Sequence, residues 1–223
     1  MANTAVALLM LVADGVSAVE AAGWLAEACA VPGRMEPVRG DGAPGEPLAV
    51  VDYAHSPDAV TAAVRALRTG ATGPLVVVLG AGGDRDREKR PLMGAAAAAA
   101  ADVVVVTDDN PRGEDPAAIR AAVVAGARAS GAVAEVVEIG DRAAAIAEGV
   151  RRAWGGGTLL VAGKGHETGQ EVAGVVHPFD DRTVLARALR EARPEPGPGA
   201  DPGPGATGRT EPRPPSLGME ARR

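Results

Sequence analysis

The chain has 223 residues, which allows one or two domains at a usual domain size of roughly 100–200 residues. Aromatic residues make up 2% and the formal net charge is −6, which argues against a base-stacking or broadly cationic nucleic-acid binder. The single cysteine, Cys29, cannot form an internal disulfide and predicts a cytoplasmic location. No apolar run has the length of a membrane span. From the charge, the aromatic content and the lack of a span, we expect neither nucleic acid nor a membrane as partner.

The first part of the chain is predicted to be helical. Residues 3–30 are apolar and alanine-rich with a break at Asp14, and Ser17 followed by Glu20 has the spacing of a helix capping box. The Gly/Pro-rich segment at 37–47 is a candidate domain boundary. Residues 1–36 are therefore predicted to form a helical segment, and residues 37–47 a linker loop.

Beyond this loop, short valine-rich runs alternate with alanine-rich helical stretches. Continuous apolar strands between helices predict an α/β domain with a mostly parallel sheet, over residues 48–191. Strands are predicted at 48–52, 75–79, 103–107, 134–139 and 158–162, with a short one near 171–176. Helices are predicted at 57–69, 91–101, 116–130, 141–154 and 181–192.

The end of the chain has a different composition. Residues 192–223 hold eight prolines and six glycines, with one leucine and one methionine as large apolar residues. Such a segment buries too little apolar surface to offset the entropy of ordering it, which predicts a disordered tail. The alternative is a proline-rich ligand for a partner protein.

Polar motifs follow four of the predicted strands. They are DYAHSPD (52–58), GAGGDRDREKRP (80–91), DDNPR (108–112) and GKGHE (163–167). The carboxyl ends of parallel strands lie at one edge of a sheet, and ligands bind there. The sequence therefore predicts one binding crevice that all four motifs share, rather than four unrelated polar loops.

Two of these motifs offer both charges of an amino acid ligand. Arg85 supplies a guanidinium that suits a carboxylate, although its motif is also compatible with a solvated charge run. DDNPR combines Asp109 and Asn110 with the rigid Pro111 and a second guanidinium, Arg112, a set that fits an ammonium beside a carboxylate. The alternative for this motif is an Asx turn before the next helix.

The other two motifs supply further contacts. Gly163 gives a backbone cradle, and Glu167 is a candidate for a substrate ammonium. His166 has no second His or Cys at ligand spacing, so no metal site is expected. Asp52 ends a strand, where an Asp commonly binds a ribose diol, and His55 could donate a hydrogen bond or transfer a proton near phosphates.

Together with PGRME (32–36), these motifs in this order resemble the Mur ligases of peptidoglycan synthesis. The resemblance covers residues 3–191 and is nearest to the members that add meso-diaminopimelate to UDP-MurNAc-L-Ala-D-Glu. It implies a Rossmann-like C-terminal Mur ligase domain at 48–191, preceded by a helical remnant of the central ATP-binding domain at 1–36. It also implies amide-bond formation that depends on ATP and Mg²⁺.

The resemblance assigns roles to individual residues. Arg34, Asp52 and His55 would contact ATP, with Asp52 on the ribose and His55 as the possible catalytic group. The residues implied to bind diaminopimelate are Arg85, Asp109, Asn110, Pro111, Arg112, Gly163 and Glu167. Arg112 resembles the diaminopimelate-adding members rather than the lysine-adding ones, because lysine would leave a buried Arg without its anion.

Segments that Mur ligases contain and this sequence lacks determine the activity that we expect of it. Mur ligases are considerably longer and carry a P-loop and Mg²⁺ ligands in their central domain, whereas no GxxGKT-like segment occurs here. We therefore expect an N-terminally truncated ligase that does not turn over alone, with its Mg²⁺ ligands outside this sequence. The alternatives are a free-standing amino-acid-binding module and a folylpolyglutamate synthase-like amide ligase, and DDNPR argues against the latter.

Overall fold

The structure is a computed structural model that describes residues 2–27 and 31–192. Cys29 and the proline-rich segment after residue 192 lie outside the described residues. The disordered tail therefore stays a prediction.

Two helices, α1 (Ala2–Ala13) and α2 (Ala18–Glu27), come first and pack against each other. Half of the predicted capping box at the start of α2 is present, since Ser17 Oγ accepts from the backbone N–H of Glu20 (3.2 Å), while the Glu20 carboxylate accepts from the Ser17 hydroxyl (2.7 Å). Both helices leave large apolar side chains exposed, among them Leu9, Met10 and Trp24.

A six-stranded sheet forms the centre of the remaining chain. Its strands are β1 (Glu36–Val38), β2 (Leu48–Asp52), β3 (Leu75–Leu79), β4 (Val103–Val106), β5 (Glu135–Glu138) and β6 (Thr158–Ala162). The strand order is β1-β2-β6-β3-β4-β5, and every pairing is parallel except that of β1 with β2. The predicted α/β class with a mostly parallel sheet is confirmed.

The first strand is not anticipated by the sequence pattern. Glu36–Val38 spans the junction between the predicted helical segment and the predicted linker, and it pairs antiparallel with β2. Pro37 has no N–H to donate to a sheet ladder, so it is tolerated at an edge, where β1 lies. Three residues with a central proline give too weak a strand signal to be recognised.

Helices cover both faces of the sheet. They are α3 (Pro57–Arg68), α4 (Lys89–Ala98) and α5 (Pro116–Ala129) on one face, and α6 (Arg142–Ala153) and α7 (Asp181–Glu191) on the other. Alternate strand residues serve the two cores, so that Val77 packs with the first group and Val78 with the second. This double burial explains why the strands are continuous apolar runs.

A separate hairpin follows β6. It consists of β7 (Gly169–Val172) and β8 (Val175–Pro178), so the single strand predicted near 171–176 is wrong. The chain reverses at Ala173 and Gly174, which have φ values of 50° and 78°, as expected for a two-residue hairpin turn. The Arg112 N–H donates to the Glu171 carbonyl and the Arg112 carbonyl accepts from Ala173, which attaches the hairpin to the loop after β4.

The strand register brings the polar motifs to one edge. Asp52 of β2 and Leu79 of β3 both lie opposite Ala162 of β6, and Val106 of β4 lies opposite Leu79. The loops that follow these four strands therefore start at the same level of the sheet. Because β6 lies between β2 and β3, GKGHE is placed between DYAHSPD and GAGGDRDREKRP.

Candidate functional site

A cavity of about 340 Å³ opens at this edge, between the loops that follow β2, β3, β4 and β6. It is lined by Tyr53, His55, Gly80, Ala81, Gly82, Arg85, Lys89, Met93, Asp109, Asn110, Arg112, Gly163 and Glu167. Six of the seven residues expected to bind diaminopimelate are in this set, and the seventh, Pro111, is buried within the same loop. The shared crevice expected from the four motifs is therefore present.

One side of the cavity is a connected network of polar side chains. Asn110 Nδ2 donates to Glu167 Oε2 (2.9 Å). Lys164 Nζ donates to Asn110 Oδ1 (3.0 Å) and to Glu167 Oε2 (3.2 Å). Lys164 is fully buried, so Glu167 rather than water compensates its charge. The sequence alone assigns no role to Lys164. The available signal was its position between the two glycines of GKGHE.

Asp109 lies beside this network and against Gly163. Gly163 has a φ of 115°, and a Cβ at this position would collide with the Asp109 carboxylate, so glycine is required for the close approach. Burial raises the pKa of Asp109, and the positive charges of Arg142 and Lys164 oppose this shift. The Asp109 backbone carbonyl accepts from Gln170 Nε2 (2.8 Å), which links the loop to the β7–β8 hairpin.

Two guanidinium groups also line the cavity. Arg112 Nη1 donates to the Gly83 carbonyl (2.8 Å), and Arg112 Nε lies 3.4 Å from Glu171 Oε2. Arg112 has a φ of 52°, an uncommon backbone conformation for a residue other than glycine. Arg85 is exposed at the rim of the same cavity. Both guanidiniums expected to face a carboxylate are therefore at the site.

Part of the charge run in GAGGDRDREKRP is structural. Arg90 is buried and donates to both carboxylate oxygens of Glu114 (2.7 and 3.1 Å) and to the Gly82 carbonyl (3.3 Å). These hydrogen bonds lower the pKa of Glu114 to about 2. The run thus contains a buried pair that fixes the loop, which neither alternative anticipated, beside the exposed guanidinium of Arg85 at the cavity.

A fully buried ion pair lies behind the cavity. Arg142 donates through Nε and Nη2 to the two carboxylate oxygens of Asp181 (2.8 and 2.7 Å). It also donates to the carbonyls of Asp108 (3.2 Å) and Ala162 (3.0 Å), which lie at the starts of the DDNPR and GKGHE loops. Sequence reasoning missed Arg142. The available signal was a cation in the first turn of a helix, where the helix dipole disfavours positive charge.

A second group of side chains, which we call the aromatic cluster, surrounds Tyr53. The Arg34 guanidinium lies 4.5 Å from the Tyr53 ring centre, and the rings of His55 and His166 lie 4.6 and 5.2 Å from it. His55 Nδ1 is 2.9 Å from the Tyr53 carbonyl, so Nδ1 carries the proton and Nε2 can accept one. Arg34, His55 and His166 are exposed.

Asp52 holds the segment that carries Arg34. Its Oδ2 accepts from the Met35 N–H and its Oδ1 from the Ala54 N–H, both at 2.8 Å. The carboxylate is 8% exposed, and it lies outside the set of described residues that line the cavity. The structure thus gives Asp52 a structural role, while its contact with a ribose stays a prediction.

Comparison with known proteins identifies the relatives of this fold and site. The family model described as "Mur ligase, glutamate ligase domain" matches residues 33–165, more than half of the chain. The chain belongs to the Mur ligase family. This confirms the family expected from the motifs.

Two relatives of this Mur ligase chain carry the name UDP-N-acetylmuramoyl-L-alanyl-D-glutamate–2,6-diaminopimelate ligase. The protein from Streptomyces avermitilis is 54% identical over 196 residues, covering 86% of this chain and 38% of the relative. A solved structure with the same name has a TM-score of 0.64 at 41% identity, covering 83% of this chain and 37% of that one. The chain thus spans little more than a third of the length of these relatives.

Two further findings concern the described part of this Mur ligase chain. None of its helices combines the length and apolar character that crossing a membrane requires. Within the same residues, no three His, Cys, Asp or Glu side chains are arranged to hold a metal ion. The described residues therefore hold no three-ligand metal site of their own, whereas the aromatic cluster offers a guanidinium and ring faces that suit a nucleotide.

Proposed function

We propose that this chain is the amino-acid-binding part of an ATP-dependent ligase that joins meso-diaminopimelate to UDP-MurNAc-L-Ala-D-Glu. The observation that carries the proposal is a single cavity lined by two guanidinium groups, Arg85 and Arg112, and by two carboxyl groups, Asp109 and Glu167. An amino acid end group, with one carboxylate and one ammonium, has the charges that complement both pairs. The reaction is a step of peptidoglycan synthesis, and so of cell-wall biogenesis, cell shape and cell division.

Within this proposal, each pair of groups binds one charge of the ligand. Arg112 is held by the Gly83 carbonyl and keeps further N–H groups for the ligand carboxylate. Glu167 and Asp109 accept from the ligand ammonium. Lysine has no carboxylate at the far end of its side chain, so it would leave Arg112 with Glu171 as its only anionic partner among the described residues. The cavity is therefore expected to select meso-diaminopimelate over lysine.

The aromatic cluster is proposed to hold ATP at the side of the cavity. Arg34 would pair with phosphate, Asp52 would bind the ribose and His55 would donate or accept a proton near the phosphates. ATP supplies the activation of the substrate carboxylate in this reaction. The sequence has no P-loop, and no three His, Cys, Asp or Glu side chains of the described residues are arranged to hold a metal ion, so we expect no turnover by this chain alone. A cytoplasmic location, as the single cysteine predicts, belongs to the same proposal.

Calorimetry of the purified chain with meso-diaminopimelate and L-lysine tests the proposal. We expect binding of meso-diaminopimelate, weaker binding of L-lysine, and a loss of about tenfold or more in meso-diaminopimelate affinity for Arg112→Ala, because a hydrogen bond between charged groups is lost. Arg151→Ala is the matched control, since Arg151 is exposed and pairs with Glu148 on α6.

Three outcomes would contradict the proposal. They are the absence of diaminopimelate binding, equal affinity for lysine, and an unchanged affinity in the Arg112 variant. ATP hydrolysis measured with and without meso-diaminopimelate tests the second part. Diaminopimelate-dependent hydrolysis by the isolated chain would contradict the expectation that this chain does not turn over alone.

A further inference from the structure

Lys164 is a buried cation to which the proposed function assigns no role. It is fully buried, and it is one of only two lysines in the sequence. Its ammonium carries three N–H groups, of which one donates to Asn110 Oδ1 (3.0 Å) and another to Glu167 Oε2 (3.2 Å). Burying such a charge is unfavourable unless it is paired, so its position directly behind two ligand-facing side chains calls for a physical explanation.

The first consequence of this position is that the Asn110 amide has one orientation. Asn110 Oδ1 accepts from Lys164 Nζ and from the backbone N–H of Glu171 (3.0 Å). Both partners can only donate, so the oxygen must face them and Nδ2 must face Glu167. One N–H of Asn110 Nδ2 donates to Glu167 Oε2 (2.9 Å), and its second N–H remains for a ligand.

The second consequence is that the Glu167 carboxylate is fixed. Its Oε2 receives hydrogen bonds from both Asn110 and Lys164, and within the described residues no donor reaches its Oε1. Asn110, Arg112 and Glu167 all line the cavity. The cavity therefore presents Glu167 Oε1 as an acceptor and the second N–H of Asn110 and the Arg112 guanidinium as donors, and Lys164 fixes the orientation of the Glu167 and Asn110 side chains.

We infer that Lys164 is a positioning residue that lets the cavity distinguish the two configurations of the stereocentre bound between Glu167 and Arg112. A carbon that carries an ammonium, a carboxylate and a side chain matches a fixed acceptor, fixed donors and the direction of the cavity in one configuration only. In the opposite configuration of this carbon, either the ligand ammonium faces the donors or the ligand side chain points out of the cavity. The inference rests on the proposed function, because it assumes an amino acid end group as the ligand.

Without Lys164, the two ligand-facing side chains lose their common anchor. Asn110 Oδ1 would keep only the Glu171 N–H, and Glu167 Oε2 only the Asn110 amide. Both side chains would then adjust to a ligand of either configuration. A general loss of folding would instead weaken binding of all ligands alike, so the ratio of two affinities separates the positioning role from a structural one.

The experiment compares Lys164→Met with the unmodified 223-residue chain by calorimetry against meso- and LL-diaminopimelate. We expect the unmodified chain to prefer the meso form and the variant to lose about tenfold of this preference, the effect of one charged hydrogen bond. Lys89→Met is the matched control. It removes the other lysine charge from the same cavity, but its Nζ donates only to the His55 carbonyl (3.3 Å), so the preference should remain.

A second measurement applies if the variant does not fold. Selective isotope labelling of the two lysine side chains gives two NMR signals, which Lys89→Met assigns. The Lys164 signal should shift more with meso- than with LL-diaminopimelate. Equal shifts, an unchanged preference in Lys164→Met, or no preference in the unmodified chain would overturn the inference while leaving diaminopimelate binding intact. Absence of binding by the unmodified chain would instead overturn the proposed function and the inference together.

Discussion

The two sides of the candidate site are built in opposite ways. On the diaminopimelate side, the side proposed to bind diaminopimelate, Asp109, Asn110 and Lys164 are buried and are held by other side chains or by the adjoining loops. On the nucleotide side, the side proposed to bind ATP, Arg34 and His55 are exposed, and within the described residues the Arg34 guanidinium and His55 Nε2 have no hydrogen-bond partner. One region has a geometry fixed by its own contacts, and the other offers groups whose positions remain adjustable.

This difference separates specificity from stability. Buried polar groups must have partners, so the diaminopimelate side is coupled energetically to the core through Arg142 and Lys164. Exposed groups carry little folding energy, so the nucleotide side can change with little effect on the fold. The variants below test this contrast, because they are expected to affect the free energy of unfolding to decreasing degrees.

The largest effect is expected for Arg142→Met. The substitution leaves the Asp181 carboxylate buried without its partner, and breaking a buried pair in this way costs about 3–5 kcal/mol. It also frees the carbonyls of Asp108 and Ala162 that the guanidinium joins. Urea denaturation followed by circular dichroism measures the loss of unfolding free energy.

The double variant Arg142→Met with Asp181→Leu provides the control. Replacing both charges by apolar groups removes the unpaired carboxylate and should restore most of the stability. Diaminopimelate affinity should stay reduced, because the carbonyls of Asp108 and Ala162 still lack their hydrogen bonds from Arg142. If the single variant unfolds like the unmodified chain, or if the double variant also recovers full affinity, the coupling between core and site is wrong.

A smaller effect is expected for Gly33→Ala, at the base of the aromatic cluster. Gly33 has a φ of 66°, and a Cβ here would overlap the backbone of Gly165 and His166. The left-handed conformation alone costs about 1–2 kcal/mol in an alanine. We expect the segment that carries Arg34 to move away from Tyr53, with loss of stability in thermal unfolding and weaker ATP binding.

Gly42→Ala is the matched control for this prediction. Gly42 has a similar φ of 69°, but a Cβ there would meet no atom within 4 Å. It should show the backbone strain alone and leave ATP binding unchanged. Equal effects of the two substitutions on ATP binding would show that the contact between Gly33 and the GKGHE loop does not position the cluster.

The third prediction concerns the pH dependence that Asp109 confers. Burial raises its pKa above the ordinary value of 3.8, so the folded chain binds the proton more tightly than the unfolded chain does. Stability attributable to this group is therefore lost as the pH rises from 3.8 through the raised pKa. Asp109→Asn lacks the titration and should be more stable than the unmodified chain above that window, by a margin that shrinks as the pH falls.

Binding should respond in the opposite direction. The ligand ammonium needs the charged carboxylate, so Asp109→Asn should lose affinity by about tenfold. In the unmodified chain, affinity should fall as the pH drops through the raised pKa. Denaturation and calorimetry across the acidic range measure both effects, and a variant that is less stable at neutral pH would contradict the assignment.

The sequence predicts one part of this site well and the other poorly. The motif DDNPR follows a strand of four consecutive valines, and the rule that parallel strands end at one edge places Asp109, Asn110 and Arg112 beside Glu167. Arg142 and Asp181 are 39 residues apart and belong to helices whose patterns show only amphipathic spacing. Their pairing depends on how both helices pack on the sheet, which no local pattern contains.

The β7–β8 hairpin shows a second limit of sequence reasoning. Val172 and Val175 suggested one continuous strand, but the turn at Ala173 and Gly174 depends on pairing along both arms of the hairpin. The hairpin matters to the site, because the Glu171 N–H helps to orient Asn110. Tertiary hydrogen bonds therefore determined the details of the site that residue types and spacing left open.

The smallest effect on stability is expected for Arg34→Ala. The guanidinium stacks on Tyr53 at an exposed position, where such a contact contributes about 0.5–1 kcal/mol. The segment that carries Arg34 is held by the Met35 N–H on Asp52, which the substitution keeps. Stability should therefore change little, while ATP affinity falls because a phosphate partner is lost. Arg39→Ala, in a nearby exposed position, is the control for charge removal.

The outcome of this variant bears directly on the contrast between the two sides. If Arg34→Ala destabilised the chain as much as Arg142→Met, the aromatic cluster would be part of the core's energetics rather than an adjustable surface. If it left ATP affinity unchanged as well, the cluster would not be the nucleotide side of the site. Only unchanged unfolding together with weakened ATP binding supports a site in which fixed geometry selects the amino acid and exposed groups bind the nucleotide.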